Sequence, residues 1–221
     1  MQRAFDSPRP DKMDQTLILI FQLIVLVFSV IIHEVSHGAM AYRLGDPTAK
    51  EAGRLTLNPL KHLDFFGSFM VPLTLFLMRS PILFGWAKPV PFNPIYLKNP
   101  KRDSGLIGLA GPASNFITAI IFSLILKIFV VLSFINAPLI IFFDIIIFIN
   151  IILGIFNLLP IPPLDGSKIL FAFLPKTSEG LQLFLERYGI FILLFFIFFA
   201  FDLIAPIIYK LYGLLGSGML F

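Results

Sequence analysis

Four stretches of the chain stay apolar long enough to cross a bilayer: Leu17 to Ala41, Leu106 to Phe134, Leu139 to Leu159 and Tyr188 to Tyr209. About 20 apolar residues in a helix match a hydrocarbon layer about 30 Å thick. A fifth run, from Phe65 to Met78, is shorter and is interrupted by Gly67 and Pro72. The pattern predicts an all-α polytopic membrane protein with four full spans, plus a re-entrant segment or short hairpin at 65–78. Residues 1–15 form a polar tail, and 16–221 form one membrane-embedded domain with its core at 17–175 and an extra C-terminal span at 188–209. The tail lacks the compact basic region and small-residue cleavage site of a secretory signal, so the first apolar run is read as a retained span.

Composition strengthens this picture. Hydrophobic residues make up 57% of the 221 positions and charged residues only 14%, against about 25% charged in soluble domains. Without cysteine there is no disulfide framework and no thiolate metal site. The net charge of +4 is explained by basic loops, and nothing points to nucleic acid. The partners expected are the lipid bilayer and a membrane protein substrate; the sequence carries no signal for an oligomeric state.

Charge also orients the chain. Arg43 to Asp64 holds four Lys or Arg, Arg79 to Asp103 five and Pro160 to Arg187 three, whereas Phe134 to Leu139 holds none. Basic loops share the cytoplasmic face. They can do so only if the chain crosses an even number of times between Arg43 and Asp103, which is why 65–78 is expected to re-enter. Spans 1 and 3 then both end at the cytoplasmic side. The cytoplasmic loop between spans 1 and 2 is expected to carry small β elements, with "GRLTL" (53–57) and "AKPVPF" (87–92) as candidate edges for an extended substrate.

"HEVSH", residues 33–37, lies late in the first span. Residues four apart share a helix face, so His33 and His37 can grip one ion. Glu34 stands beside the first ligand, where an H-E-x-x-H motif places a general base. Two imidazoles and a carboxylate suit a single Zn2+ with one position left open. Polar packing between helices is the alternative, but ionisable residues at this depth cost at least about 2.5–3.5 kcal/mol each and point to function.

A third ligand is then required. His62 lies in a polar loop, Asp144 lies near the exported end of span 3, and Asp202 lies well into span 4. Asp165 follows "NLLPIPPLDG", where Pro160, Pro162 and Pro163 stop the helix and Gly166 permits an unusual turn. A segment broken in this way can fold back towards the ion, although Asp165 could instead cap the next helix. In span 2, Gly105, Gly108 and Gly111 form a small-residue row that allows close helix packing. Asn115 rides on that row and could steady an oxyanion or simply glue helices together. Asn150 reads as interhelical glue, and Asn157 adds a polar group near the end of span 3.

HEVSH, "GPASN" (111–115) and "NLLPIPPLDG" (157–166), in that order, resemble the site-2 protease family of intramembrane zinc metalloproteases. The likeness covers roughly 17–175 and extends to "GRLTLNPLKHLDFFGS" and "FGWAKPVPFNP", as in the compact bacterial and archaeal branch without PDZ or CBS domains. It implies zinc held by His33, His37 and Asp165, Glu34 as catalytic base and a substrate or transition-state role for Asn115. It also implies a multi-pass protein of a prokaryotic cell membrane, with its active site near the cytoplasmic face. A metal transporter or non-proteolytic scaffold that keeps the fold is the rival reading.

Overall fold

The computed structural model describes residues 12–62, 88–134 and 136–217, together with 64, 70, 74, 77 and 78. The expected re-entrant segment at 65–78 falls almost wholly outside the described residues. The long helices are α1 (Lys12–Arg43), α3 (Pro100–Val131), α4 (Ala137–Asn157) and α6 (Glu179–Phe195). Shorter ones are α2 (Thr48–Glu51), α5 (Asp165–Phe173) and α7 (Ala205–Leu215). Thr16–Arg43, Pro100–Val131, Ala137–Asn157 and Glu179–Leu203 are long and apolar enough to cross a membrane.

The distribution of polarity is inverted relative to a protein packed for water. Leu23, Ile24, Ile121, Leu124, Phe191 and Phe195 face outward. Ser29, His33, His37, Asn115, Ser123, Asp144 and Asn150 are buried. Hydrocarbon solvates the apolar exterior and cannot satisfy polar groups, so these turn inward towards one another.

Helix α3 is central, packing against α1, α4 and α5. Its first helical residue is Pro100, six residues before the apolar run begins, because proline at the first turn loses no hydrogen bond. Asp103 reaches back to accept from the Asn99 N–H at 3.0 Å. The core joins α3, α4 and α7 through Ala119, Leu126, Phe143, Ile147, Ile151, Ile208 and Tyr212.

The C-terminal span differs from the sequence expectation. Helix α6 ends in a π turn at Phe196–Ala200 and a 3-10 turn at Phe201–Leu203 before α7 begins. Pro206 lacks an N–H and crowds the preceding turn, so the apolar run up to Tyr209 is two helices instead of one. Beyond α7, the Ser217 N–H and hydroxyl both donate to the buried Asp144 carboxylate.

No strand occurs among the described residues, including 53–57 and 88–92. Side chains hold this region together instead. The buried Arg54 guanidinium donates to the carbonyls of Lys61, Lys88 and Pro89. The Lys88 N–H donates to the His62 carbonyl at 2.9 Å. The result is a strap, residues 88–92, laid across the C-terminal part of α1.

Candidate metal centre

Two helices deliver the three side chains. His33 and His37 project from one face of α1, with ring centroids 4.6 Å apart. Asp165 opens α5, where Leu164 precedes the first helical turn and no side chain caps it. The Asp165 carboxylate is therefore not a helix cap. Its Oδ2 lies 2.9 Å from His33 Nε2 and 3.0 Å from His37 Nε2. All three side chains are buried and could jointly hold a metal ion.

The glycine row of α3 makes this convergence possible. At Gly105 a Cβ would come 2.6 Å from Ala172 Cβ, and at Gly108 it would come 3.0 Å from the Asp165 carbonyl. At Gly111 it would run into the Nε2 atoms of both His33 and His37. Gly166 is required for a similar reason. It has no left-handed backbone, contrary to the unusual turn expected, but a Cβ there would strike the carbonyls of Leu158 and Leu159.

The protonation pattern of the imidazoles follows from the surrounding hydrogen bonds. His37 Nδ1 faces the Ile107 carbonyl at 2.6 Å. A carbonyl only accepts, so Nδ1 carries the proton. For His33 the chain of hydrogen bonds begins two helices away, on α4. Asn150 Nδ2 donates to the Ile146 carbonyl and to Ser29 Oγ, which fixes Asn150 Oδ1 as the acceptor for Asn115 Nδ2 at 3.0 Å. Asn115 Oδ1 then faces His33 Nδ1 at 2.6 Å and accepts its proton. In their neutral forms both Nε2 atoms present lone pairs, and these converge on a carboxylate oxygen that has only lone pairs to offer. Three acceptors at this spacing repel one another unless a cation lies among them. The donor set fits zinc, which takes neutral imidazole nitrogen and carboxylate oxygen. The Nδ1–H···O bonds are the outer partners that orient metal-ligating histidines.

Beside this cluster lies a cavity of about 580 Å³, with Glu34, Asp165, Asn157, Lys168, Val90 and Phe92 among its walls. Glu34 Oε2 accepts from the Val90 N–H at 2.8 Å. Lys168 Nζ donates to Asp165 Oδ1 at 2.8 Å.

Of the residues singled out in the sequence, His33, His37, Glu34 and Asp165 come together. Asn115 is adjacent but fully buried behind His33 and does not line the cavity. His62 lies apart from the cluster, its Nε2 bonded to the Thr56 carbonyl at 2.8 Å and its main-chain carbonyl to the Lys88 N–H of the strap. Asp144 binds the C-terminal tail, and Asp202 is exposed on the 3-10 turn. Sequence reading missed the Val90 N–H, the Ile107 carbonyl and Lys168. Only Lys168 had a usable signal, three residues after Asp165 on the same helix face.

The family model for "Peptidase family M50" matches residues 127–200. Three similar proteins carry the printed name "Putative zinc metalloprotease". YwhC of Bacillus subtilis (strain 168) is 38% identical over 204 residues, covering 90% of this chain and 87% of its own. Rip2 of Mycolicibacterium smegmatis is 29% identical over 187 residues, covering 80% and 66%. MJ0611 of Methanocaldococcus jannaschii is 31% identical over 156 residues, covering 70% and 71%. No solved structure matches the chain.

Proposed function

The chain belongs to peptidase family M50, the site-2 protease family, and is a zinc metalloprotease of the membrane; from that premise we propose that it hydrolyses peptide bonds in or near transmembrane segments of membrane proteins. His33, His37 and Asp165 hold the ion, and Glu34 is the general base. The observation that carries this reading is the meeting of two imidazole Nε2 atoms and one carboxylate oxygen on a cavity wall that also holds Glu34. The cavity lies at the end of a spanning helix flanked by basic loops, which supports a site near the cytoplasmic face of a prokaryotic cell membrane.

Zinc supplies a Lewis acid that polarises the scissile carbonyl and lowers the pKa of water to about 7. Glu34 takes a proton from the attacking water and delivers it to the amine nitrogen as the C–N bond breaks. The Val90 N–H holds the Glu34 carboxylate in place. Asn115 is a positioning residue that keeps the His33 proton on Nδ1 and its lone pair on Nε2.

The test is metal content and cleavage of a single-span reporter by purified protein. Glu34→Gln should bind one zinc and lose cleavage by about 10²–10⁴-fold. His33→Ala and Asp165→Ala should lose both. A Glu34→Gln protein that cleaves like the parent removes the general base from the scheme. One that keeps another measurable function, such as metal transport, favours a transporter or scaffold.

A further inference from the structure

Hydrolysis of an amide passes through a tetrahedral species whose former carbonyl oxygen carries negative charge. Such sites place hydrogen-bond donors where that charge develops. Asn115, the neutral amide expected for this task, has both ends engaged. Its Oδ1 accepts from His33, and its Nδ2 donates to Asn150 and to the Ser29 carbonyl. The Val90 N–H is occupied by Glu34, and Asn157 Nδ2, an uncharged amide, gives one of its two N–H groups to the Leu153 carbonyl at 3.0 Å.

Lys168 is different. It is the one Lys or Arg among the described residues that line the cavity. Its ammonium carries three N–H donors, of which one reaches Asp165 Oδ1 at 2.8 Å. The side chain is 35% exposed, and it lines both this cavity and a neighbouring one beside Lys101 and Phe171. Its nitrogen also lies 5.7 Å from the centre of the Phe92 ring, the opposite wall of the strap. Because the other oxygen of the same Asp165 carboxylate meets the two imidazoles, Lys168 is anchored one carboxylate away from the point where the ligands converge.

We propose that Lys168 is a further catalytic residue, whose free ammonium N–H groups bind the oxyanion of the scissile carbonyl in the cavity shared with Glu34. The inference rests on the peptidase reading of this site. As water oxygen bonds to the carbonyl carbon, the C=O π pair moves onto oxygen and the water proton passes to Glu34. Lys168 holds that oxygen without giving up a proton. When the C–N bond breaks, the pair returns to re-form C=O, and the proton on Glu34 goes to the leaving nitrogen. The tether to Asp165 keeps the ammonium in place and uses only one of its three donors.

A purely structural lysine would act through Asp165, and so through the ion. The experiment therefore measures zinc affinity, kinetics on a single-span reporter, and binding of a phosphinic tripeptide, whose tetrahedral anion mimics the oxyanion. Lys168→Met and Lys168→Arg are compared with the parent. The expected result for Lys168→Met is zinc affinity within about threefold of the parent, kcat lowered about 10²–10³-fold with KM little changed, and phosphinate affinity lowered in parallel. Lys168→Arg, which keeps a cation and its donors, should recover at least tenfold of that loss. The proposal is overturned if zinc-loaded Lys168→Met keeps parental kcat and phosphinate affinity, or if its defect is a loss of zinc reversed by added metal. A parent enzyme that neither cleaves the reporter nor binds the phosphinate overturns the peptidase reading of the site, and this inference with it. Parental zinc content and the Glu34→Gln control separate that failure from one confined to Lys168.

Discussion

The main-chain N–H of Val90 donates to Glu34 Oε2 at 2.8 Å, linking a strap residue to the carboxylate proposed as general base. Pro89 and Pro91 on either side have no N–H to give, so Val90 supplies the only donor across those three residues. Val90→Pro removes it without altering charge. A hydrogen bond to a charged group is worth about 1.5–3 kcal/mol, so kcat/KM should fall about 10–100-fold with zinc content unchanged. Val90→Ala keeps the N–H and should stay within a few-fold of the parent. Kinetics on the two purified variants check this, and equal losses in both would point to side-chain packing instead.

Gly111→Ala puts a methyl group against the Nε2 atoms of both His33 and His37. The backbone of α3 cannot retreat without opening its contact with α5. Zinc affinity should fall at least about tenfold, as read by competition with a chromophoric chelator. Gly213→Ala, where nothing lies within 4 Å of the added carbon, is the control and should bind like the parent.

Asn150 is separated from the ion by Asn115 and His33, yet it sets which end of the Asn115 amide faces the imidazole. Asn150→Leu should weaken zinc binding by up to about tenfold, less than the 10–100-fold expected for Asn115→Leu. The double variant should be no worse than Asn115→Leu alone, because both act through one hydrogen bond. Chelator titration of the three proteins tests this ordering.

Asp46 ties the end of α1 to the strap, accepting from the Asn93 N–H at 2.6 Å and from the Thr48 N–H at 3.0 Å. Burial pushes its pKa up, but the Thr48 hydroxyl and the two N–H donors outweigh that and hold it below the ordinary carboxylate value. A carboxylate with a depressed folded pKa stabilises the fold above its unfolded value of about 3.9, and that contribution disappears as pH falls below it. Asp46→Asn should flatten this acid limb while lowering stability near neutrality. Thermal midpoints in detergent, measured from about pH 6 down to about pH 3, report the difference.

Much of the site was legible because its chemistry is carried by side chains that hydrocarbon does not tolerate without a reason. His33 and His37 needed only helical spacing, and Asp165 stood out because prolines released it from the third span. The glycine row announced a close contact, though not that its last member would meet the imidazoles. Main-chain donors and acceptors such as Val90 and Ile107 leave no mark in composition, because every residue but proline carries both groups. The role of Asn115 was ambiguous because an amide serves equally as oxyanion donor or histidine orienter, and only its burial and partners choose. The C-terminal span was misjudged because hydropathy continues unbroken across Pro206, whereas the backbone does not.

The carboxylate that meets the two imidazoles stands 128 and 132 residues further along the chain. A ribosome that has released the first span into the bilayer has therefore produced the two imidazoles and Glu34, but not the carboxylate that meets them. That carboxylate arrives only when α5 emerges and slides against the flat glycine face of α3. If His33, His37 and Asp165 are the ligands, a chain still lacking α5 has no complete centre with which to hydrolyse anything.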